Sequence, residues 1–251
     1  MDIIYITGVL SLIIQIITGV FDYYVLNLNI PTELKLLKEL LLTEFIVQII
    51  EGTFYIWMVL NFSKIKNITP HRYFDWVITT PTMLLTYSIF LIYLKKYETE
   101  KQKNKESKKT EENDKGMIEL IKDNWKILLP IILLNWLMLL FGYMGEMKVI
   151  PMVTANILGF FPFVIYFWLI YQNFAKDFAL GRQTFIVFFG LWLLYGVASF
   201  FPYYLKNSCF NILDLFAKNF FGIFIAAFIL YKLKKYKQQP TQSPTQTNKS
   251  T

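Results

Sequence analysis

The chain has 251 residues, of which 55% are hydrophobic and 18% aromatic, and only 17% are charged. A soluble domain of this length seldom carries so much apolar surface, so the composition points to membrane spans separated by short charged loops. The net charge of +7 would suit nucleic acid, but the lysines flank apolar runs, which assigns them to membrane surfaces and leaves no nucleic-acid partner. Cys209 is the only cysteine and His71 the only histidine, which excludes an intrachain disulfide and argues against zinc.

A span needs about 20 apolar residues to cross a hydrocarbon core of about 30 Å. Seven runs meet that need, and they predict an all-α membrane protein, a seven-helix bundle. The first covers residues 3–28 and is read as a retained helix, because it lacks a basic leader and a small-residue cleavage site. The second covers 32–61, with Pro31 suited to the turn before it. The third covers 72–94, the fourth 125–143, the fifth 149–174, the sixth 184–205 and the seventh 209–231. Residues 1–235 make the transmembrane domain, with 95–122 as a long charged loop, and 236–251 make a disordered polar tail.

The charged loop 95–122, the loop with Lys176 and Arg182, and the end with Lys232, Lys234, Lys235 and Lys237 fall on one side of seven spans. Lys64, Lys66, Lys148 and Lys206 fall on the other. The positive-inside rule therefore predicts an N-terminus outside and a C-terminus in the cytoplasm. Asn61 and Asn67 match glycosylation acceptors on the outer side.

Ionisable residues within spans are costly and therefore mark function. Five stand out: Glu44 and Glu51 in the second span, Asp75 in the third, and Asp214 with Lys218 in the seventh. Lys218 is mid-span, too deep to snorkel, and Asp214 lies four residues before it on the same helix face. The pair is a structural ion pair, or an amine that forms an imine with an aldehyde and needs an anion close by. Asp75 offers a second anion. Thr79 lies one turn from Asp75, Arg72 lies three residues before it, and Trp76 and Thr80 share its cavity.

The run Arg72-Tyr73-Phe74-Asp75-Trp76 with Thr79-Thr80-Pro81 resembles the third-helix signature of the microbial rhodopsins. Asp214-Leu-Phe-Ala-Lys218 resembles their seventh-helix attachment signature. The resemblance implies the microbial rhodopsin fold and all-trans-retinal as a protonated Schiff base on Lys218, with Asp75 and Asp214 as counterions. It also implies a pocket that includes Met83, Asn135, Met138, Gly142, Trp192 and Tyr195. The chain departs from bacteriorhodopsin at Gly196, where a proline is usual, and at Ser199, where a tryptophan is usual. At the position of the pump's internal proton donor stands Thr86. At those of its paired outer glutamates stand Tyr204 and Lys206.

Glu44 and Glu51, seven residues apart with Gln48 between them, share one face of the second span and can line a path that favours cations. The alternative is a set of polar residues that face a neighbouring helix. The chain is similar here to channelrhodopsins, which implies a central gate of Glu51, Asn219 and a first-helix serine, with Ser11 as the candidate. It is similar also to the group-one viral rhodopsins of algal giant viruses. Together these resemblances imply a light-gated channel for monovalent cations or protons, inhibition by calcium, a host-cell membrane and a tendency to homo-oligomerise. No enzymatic activity is expected. The alternatives are a light-driven outward proton pump and a sensory rhodopsin that signals through a partner.

Overall fold

The computed structural model describes residues 2–103 and 115–237. The helices in chain order are α1 (Ile3–Leu26), α2 (Lys35–Asn61), α3 (Thr69–Lys103), α4 (Met117–Glu146), α5 (Met152–Ile170), α6 (Ala179–Ala198), α7 (Tyr203–Asp214) and α8 (Phe220–Lys237). A π-helical turn, Leu215–Asn219, joins α7 to α8, so the two form one continuous seventh span. A second π turn, Tyr171–Ala175, ends the fifth. Seven helices are long and apolar enough to cross a membrane. The protein is an all-α, multi-pass membrane protein.

Helix ends follow local chemistry. The Asp2 side chain accepts from the Ile4 amide at 2.8 Å and caps α1. Pro151 and Pro202 stand immediately before α5 and α7. Pro202 moves the boundary between the sixth and seventh spans: the expected sixth span of 184–205 runs instead over Ala179–Ala198, and Tyr203, Tyr204 and Lys206 belong to the seventh. The expected loop 95–122 is helical at both ends, since α3 continues to Lys103 and α4 begins at Met117. Lys, Glu and Gln are strong helix formers, so charge alone does not end a helix that leaves the membrane. The expected tail 236–251 begins inside α8, which continues to Lys237. Residues 238–251, and the centre of the charged segment, lie outside the described residues.

Pro81 interrupts α3. It lacks an amide hydrogen, so the Val77 carbonyl loses its intrahelical donor. The Trp136 indole of α4 donates to that carbonyl at 2.9 Å. In hydrocarbon no water could replace such a bond.

The third and seventh spans are the most enclosed, with 61% and 59% of their central windows buried against 17% for the sixth. They are the elements best placed to hold buried charge. The first helix is inside out: Ile6, Leu10, Ile13, Ile17 and Val20 are exposed, while Ser11, Gln15, Thr18 and Asp22 are buried. Its polar stripe packs against α2 and the seventh span.

Candidate retinal pocket and charge cluster

Lys218 lies in the π turn, 5% exposed, where the wider i→i+5 winding shifts the register by a residue. Its Nζ is 2.9 Å from Asp75 Oδ2, 3.2 Å from Glu51 Oε1 and 3.6 Å from Asp214 Oδ1. Asp214 accepts hydrogen bonds from Tyr55 at 2.6 Å and from Tyr195 at 2.7 Å. Arg72, fully buried, has Nη1 3.5 Å from Asp214 Oδ2. Its Nε donates to Asn207 at 3.1 Å and its Nη2 to Asn211. The guanidinium lies near the rings of Phe54, Tyr55 and Phe210, 5.5–5.9 Å from their centroids. Three carboxyl groups thus meet two cations. Buried charge is tolerated only in such paired, hydrogen-bonded arrangements. A proton shared within the cluster would cancel the one excess negative charge.

The residues singled out in the third span divide by role. Arg72 reaches Asp214 and Asp75 reaches Lys218. Thr79 donates to the Asp75 backbone carbonyl at 3.0 Å. Thr80 donates to Asn135 at 2.8 Å, which places Asn135 behind the pocket wall.

A cleft of about 840 Å³, part of it open to the surroundings, runs from Lys218 between α3, α4, α5, α6 and the seventh span. Trp76, Thr80, Met83, Met138, Gly142, Trp192 and Tyr195 all line it. Trp192 stacks on Phe188 at 5.4 Å, and Phe188 on Tyr87 at 3.9 Å, which stiffens that wall. Gly196 and Ser199 line the cleft as well. A Cβ on residue 196 would come within 2.6 Å of Phe160 Cζ, so the α5 aromatic fills the space left by the small residue on α6. Sequence reasoning did not find Phe160, Phe163 or Asn156, because nothing in the motifs marks the fifth span.

The sequence pattern of the family described as bacteriorhodopsin-like protein matches residues 3–231. The chain belongs to that family. Such microbial rhodopsins bind retinal through a Schiff base to a lysine. The chain is similar to viral rhodopsin OLPVRII, with 26% identity over 92% of this chain and 99% of that one, and a TM-score of 0.73. It shares its fold with the blue light-absorbing proteorhodopsin from Med12, at 18% identity, 92% and 100% coverage and a TM-score of 0.69. It also shares it with the proton pumping rhodopsin AR2 from the marine alga Acetabularia acetabulum, at 17% identity, 94% and 97% coverage and a TM-score of 0.66. No curated protein matches the chain significantly.

In this rhodopsin the pocket suits a large apolar ligand. Its lining is mostly aromatic and aliphatic, with Lys218 among the lining residues. The Trp192 indole N–H has no protein partner.

The expected hydrogen-bonded gate of Glu51, Asn219 and Ser11 is not formed in this rhodopsin. Glu51 pairs with Lys218. Asn219 accepts from Gln48 at 2.9 Å, and Gln48 donates also to Thr18 at 2.5 Å. Ser11 donates to the Asn211 carbonyl at 3.1 Å. All are buried at the junction of α1, α2 and the seventh span. The physical reason is competition: the amine is the strongest available partner for a buried carboxylate, so Glu51 turns to it and leaves Asn219 to an amide.

Of the three proton-handling positions expected to lack acids, Thr86 and Lys206 each meet an acid from another helix. Lys206 pairs with Glu146 at 2.5 Å, their side chains 8% and 7% exposed, at the end of the bundle that holds the N-terminus. The Thr86 hydroxyl donates to the carboxylate of Glu44. Asp22, Tyr55, Asn207 and Asn211 were not foreseen. Two signals in the sequence pointed to some of them: Tyr55 lies four residues after Glu51, and Ser11, Gln15, Thr18 and Asp22 recur at helical spacing in an apolar run.

Proposed function

We propose that this rhodopsin is a light-gated channel for monovalent cations, with all-trans-retinal on Lys218 and with Asp75 and Asp214 as its counterions. One observation carries the channel reading. A file of buried polar groups runs between α1, α2 and the seventh span: Asn211 and Ser11, then Glu51 and Gln15, then Gln48, Thr18 and Asn219, then Glu44 and Asp22. Atoms of Gln15, Gln48, Asn219, Glu44, Glu51 and Asp22 within it lack a protein hydrogen-bond partner. Buried polar atoms are almost always satisfied, so a file of unsatisfied ones is a place for water, and its acids favour cations.

Retinal, when bound, supplies absorption of the photon and a change of shape at the nitrogen. The chain does the rest. Asp75 Oδ2 lies at hydrogen-bond distance to take the proton from Nζ. The Lys218 ion pairs then lose their cation, and the balance among Arg72, Asp214 and Glu51 must be redrawn. Glu51 belongs to both the charge cluster and the polar file, so its release from Nζ frees a carboxylate to the file. Two states that differ by a few kcal/mol suffice for such a switch. The lysine-rich ends of the third and seventh spans belong on the cytoplasmic side in this reading.

The light-driven outward proton pump is the second reading, supported by the shared fold with a proton pumping rhodopsin. Voltage clamp of illuminated cells supplied with retinal tests both. A photocurrent that reverses sign with membrane potential supports the channel. A current of one direction at all potentials overturns it in favour of the pump, and absence of current overturns it in favour of a sensor.

A further inference from the structure

Asp22 and Glu44 are 1% and 3% exposed, and among the described residues neither forms an ion pair with a lysine or arginine. Glu44 Oε1 takes the Thr86 hydroxyl, while Glu44 Oε2 and Asp22 Oδ1 have no protein partner. Gly222 leaves room for the Asp22 carboxylate beside the side chain of Glu44. A Cβ there would lie 2.6 Å from Asp22 Oδ2 and 3.9 Å from Glu44 Cβ. An unpaired carboxylate in such a place carries a desolvation cost that a bound proton removes.

This pair connects to Lys218 through polar groups. Gln48, one turn along α2 from Glu44, binds Asn219, the chain neighbour of Lys218. Glu44 is seven residues from Glu51, about 10 Å along the helix axis, and Glu51 touches Nζ. Gln48 Oε1, itself 93% buried by residue (7% exposed), and Asn219 Nδ2 are unpartnered in that interval and can hold water. The third helix lacks an acid at Thr86, yet the Thr86 hydroxyl rests on an acid that the second helix delivers to the same place.

We propose that Glu44, backed by Asp22, is the internal proton donor that restores the proton on Lys218 Nζ after light has moved one to Asp75. The O–H bond of Glu44 breaks and an N–H bond forms at Nζ, with the proton carried through water beside Gln48 and Asn219. The Glu44 carboxylate left behind keeps the Thr86 hydrogen bond. It then takes the proton of Asp22, which is refilled from the aqueous phase at that end of the bundle, while Asp75 releases the proton it took from Nζ to the aqueous phase at the opposite end and so restores its ion pair. No oxidation or reduction is involved. The proposal rests on Lys218 as the retinal-bearing nitrogen and not on whether cations pass.

The test is flash photolysis of the full-length, retinal-loaded protein across neutral pH. In wild type, recovery of the pigment is expected to be nearly independent of pH. In Glu44→Gln it should slow about 100-fold, accelerate as bulk proton concentration rises, and regain speed with azide, a small weak acid that ferries protons. Asp22→Asn should slow only the second of two successive flashes, because Glu44 itself still holds one proton. In the retinal-free protein, Glu44→Gln should remove intensity from the infrared carbonyl band of protonated carboxyl groups. Glu44→Asp keeps an acid and should keep pH-independent recovery. Recovery of Glu44→Gln at the wild-type rate, slowing that azide does not relieve, or an Asp variant that behaves as Gln each overturns the proposal. A wild-type protein that forms no pigment would instead overturn the retinal assignment to Lys218.

Discussion

Glu51 Oε1 lies 3.2 Å from Lys218 Nζ, so a residue of the second helix shares the amine with the carboxylates of the third and seventh. The polar file and the charge cluster therefore have a residue in common. Glu51→Gln should alter both ion selectivity and colour. Loss of an anion beside the nitrogen removes ground-state stabilisation there, so the visible band should move to longer wavelength. Photocurrent and an absorption spectrum measured on the same variant check this. Unchanged permeability ratios together with an unchanged spectrum would remove Glu51 from both roles.

Lys218→Ala should abolish colour and photocurrent together. It should also leave Glu51, Asp75 and Asp214 without their shared cation. An uncompensated buried charge costs about 3–5 kcal/mol, so lower thermal stability of the retinal-free protein is expected as well. The comparison is between retinal-free wild type and variant, so that loss of the ligand does not enter.

Arg72 stands in the same relation to Asp214, at 3.5 Å and fully buried. Arg72→Gln should destabilise the protein by about 3 kcal/mol or more, and the double variant with Asp214→Asn should recover part of that loss. Thermal denaturation of the four proteins gives the coupling directly. Additive losses would mean that the two side chains do not stabilise one another.

The indole of Trp136 satisfies the Val77 carbonyl that Pro81 leaves without a donor. Trp136→Phe preserves most of the ring and removes only the donor. A loss of about 1 kcal/mol is expected, as for other interhelical hydrogen bonds within membranes. In a Pro81→Ala background the carbonyl regains its own amide partner, and the cost of Trp136→Phe should shrink toward zero.

Gly222 admits the carboxylate of Asp22. Gly222→Ala should destabilise the chain by about 1–3 kcal/mol through overpacking, and Asp22→Ala should relieve it. Equal thermal stability of Gly222→Ala and wild type would show that the two helices separate freely at this level.

Seven apolar runs determine seven spans, because hydrocarbon thickness sets the length of any helix that crosses it. Spacing within one helix also determines that Asp214 and Lys218 meet, since four residues return to the same face even in a wider turn. The microbial rhodopsin family is legible for that reason in two short motifs. The polar stripe of Ser11, Gln15, Thr18 and Asp22 was equally legible as a periodicity, although no motif drew attention to it.

Only the tertiary structure decided which faces touch. Glu51 turning to Lys218 instead of Asn219, Thr86 meeting Glu44, and Asp22 seated against Gly222 all depend on how far one helix is rotated and shifted against the next. Lipid is as apolar as leucine, so hydrophobicity does not set that rotation. Close packing, small residues and hydrogen bonds between helices set it, and these are properties of pairs of helices that no single segment encodes.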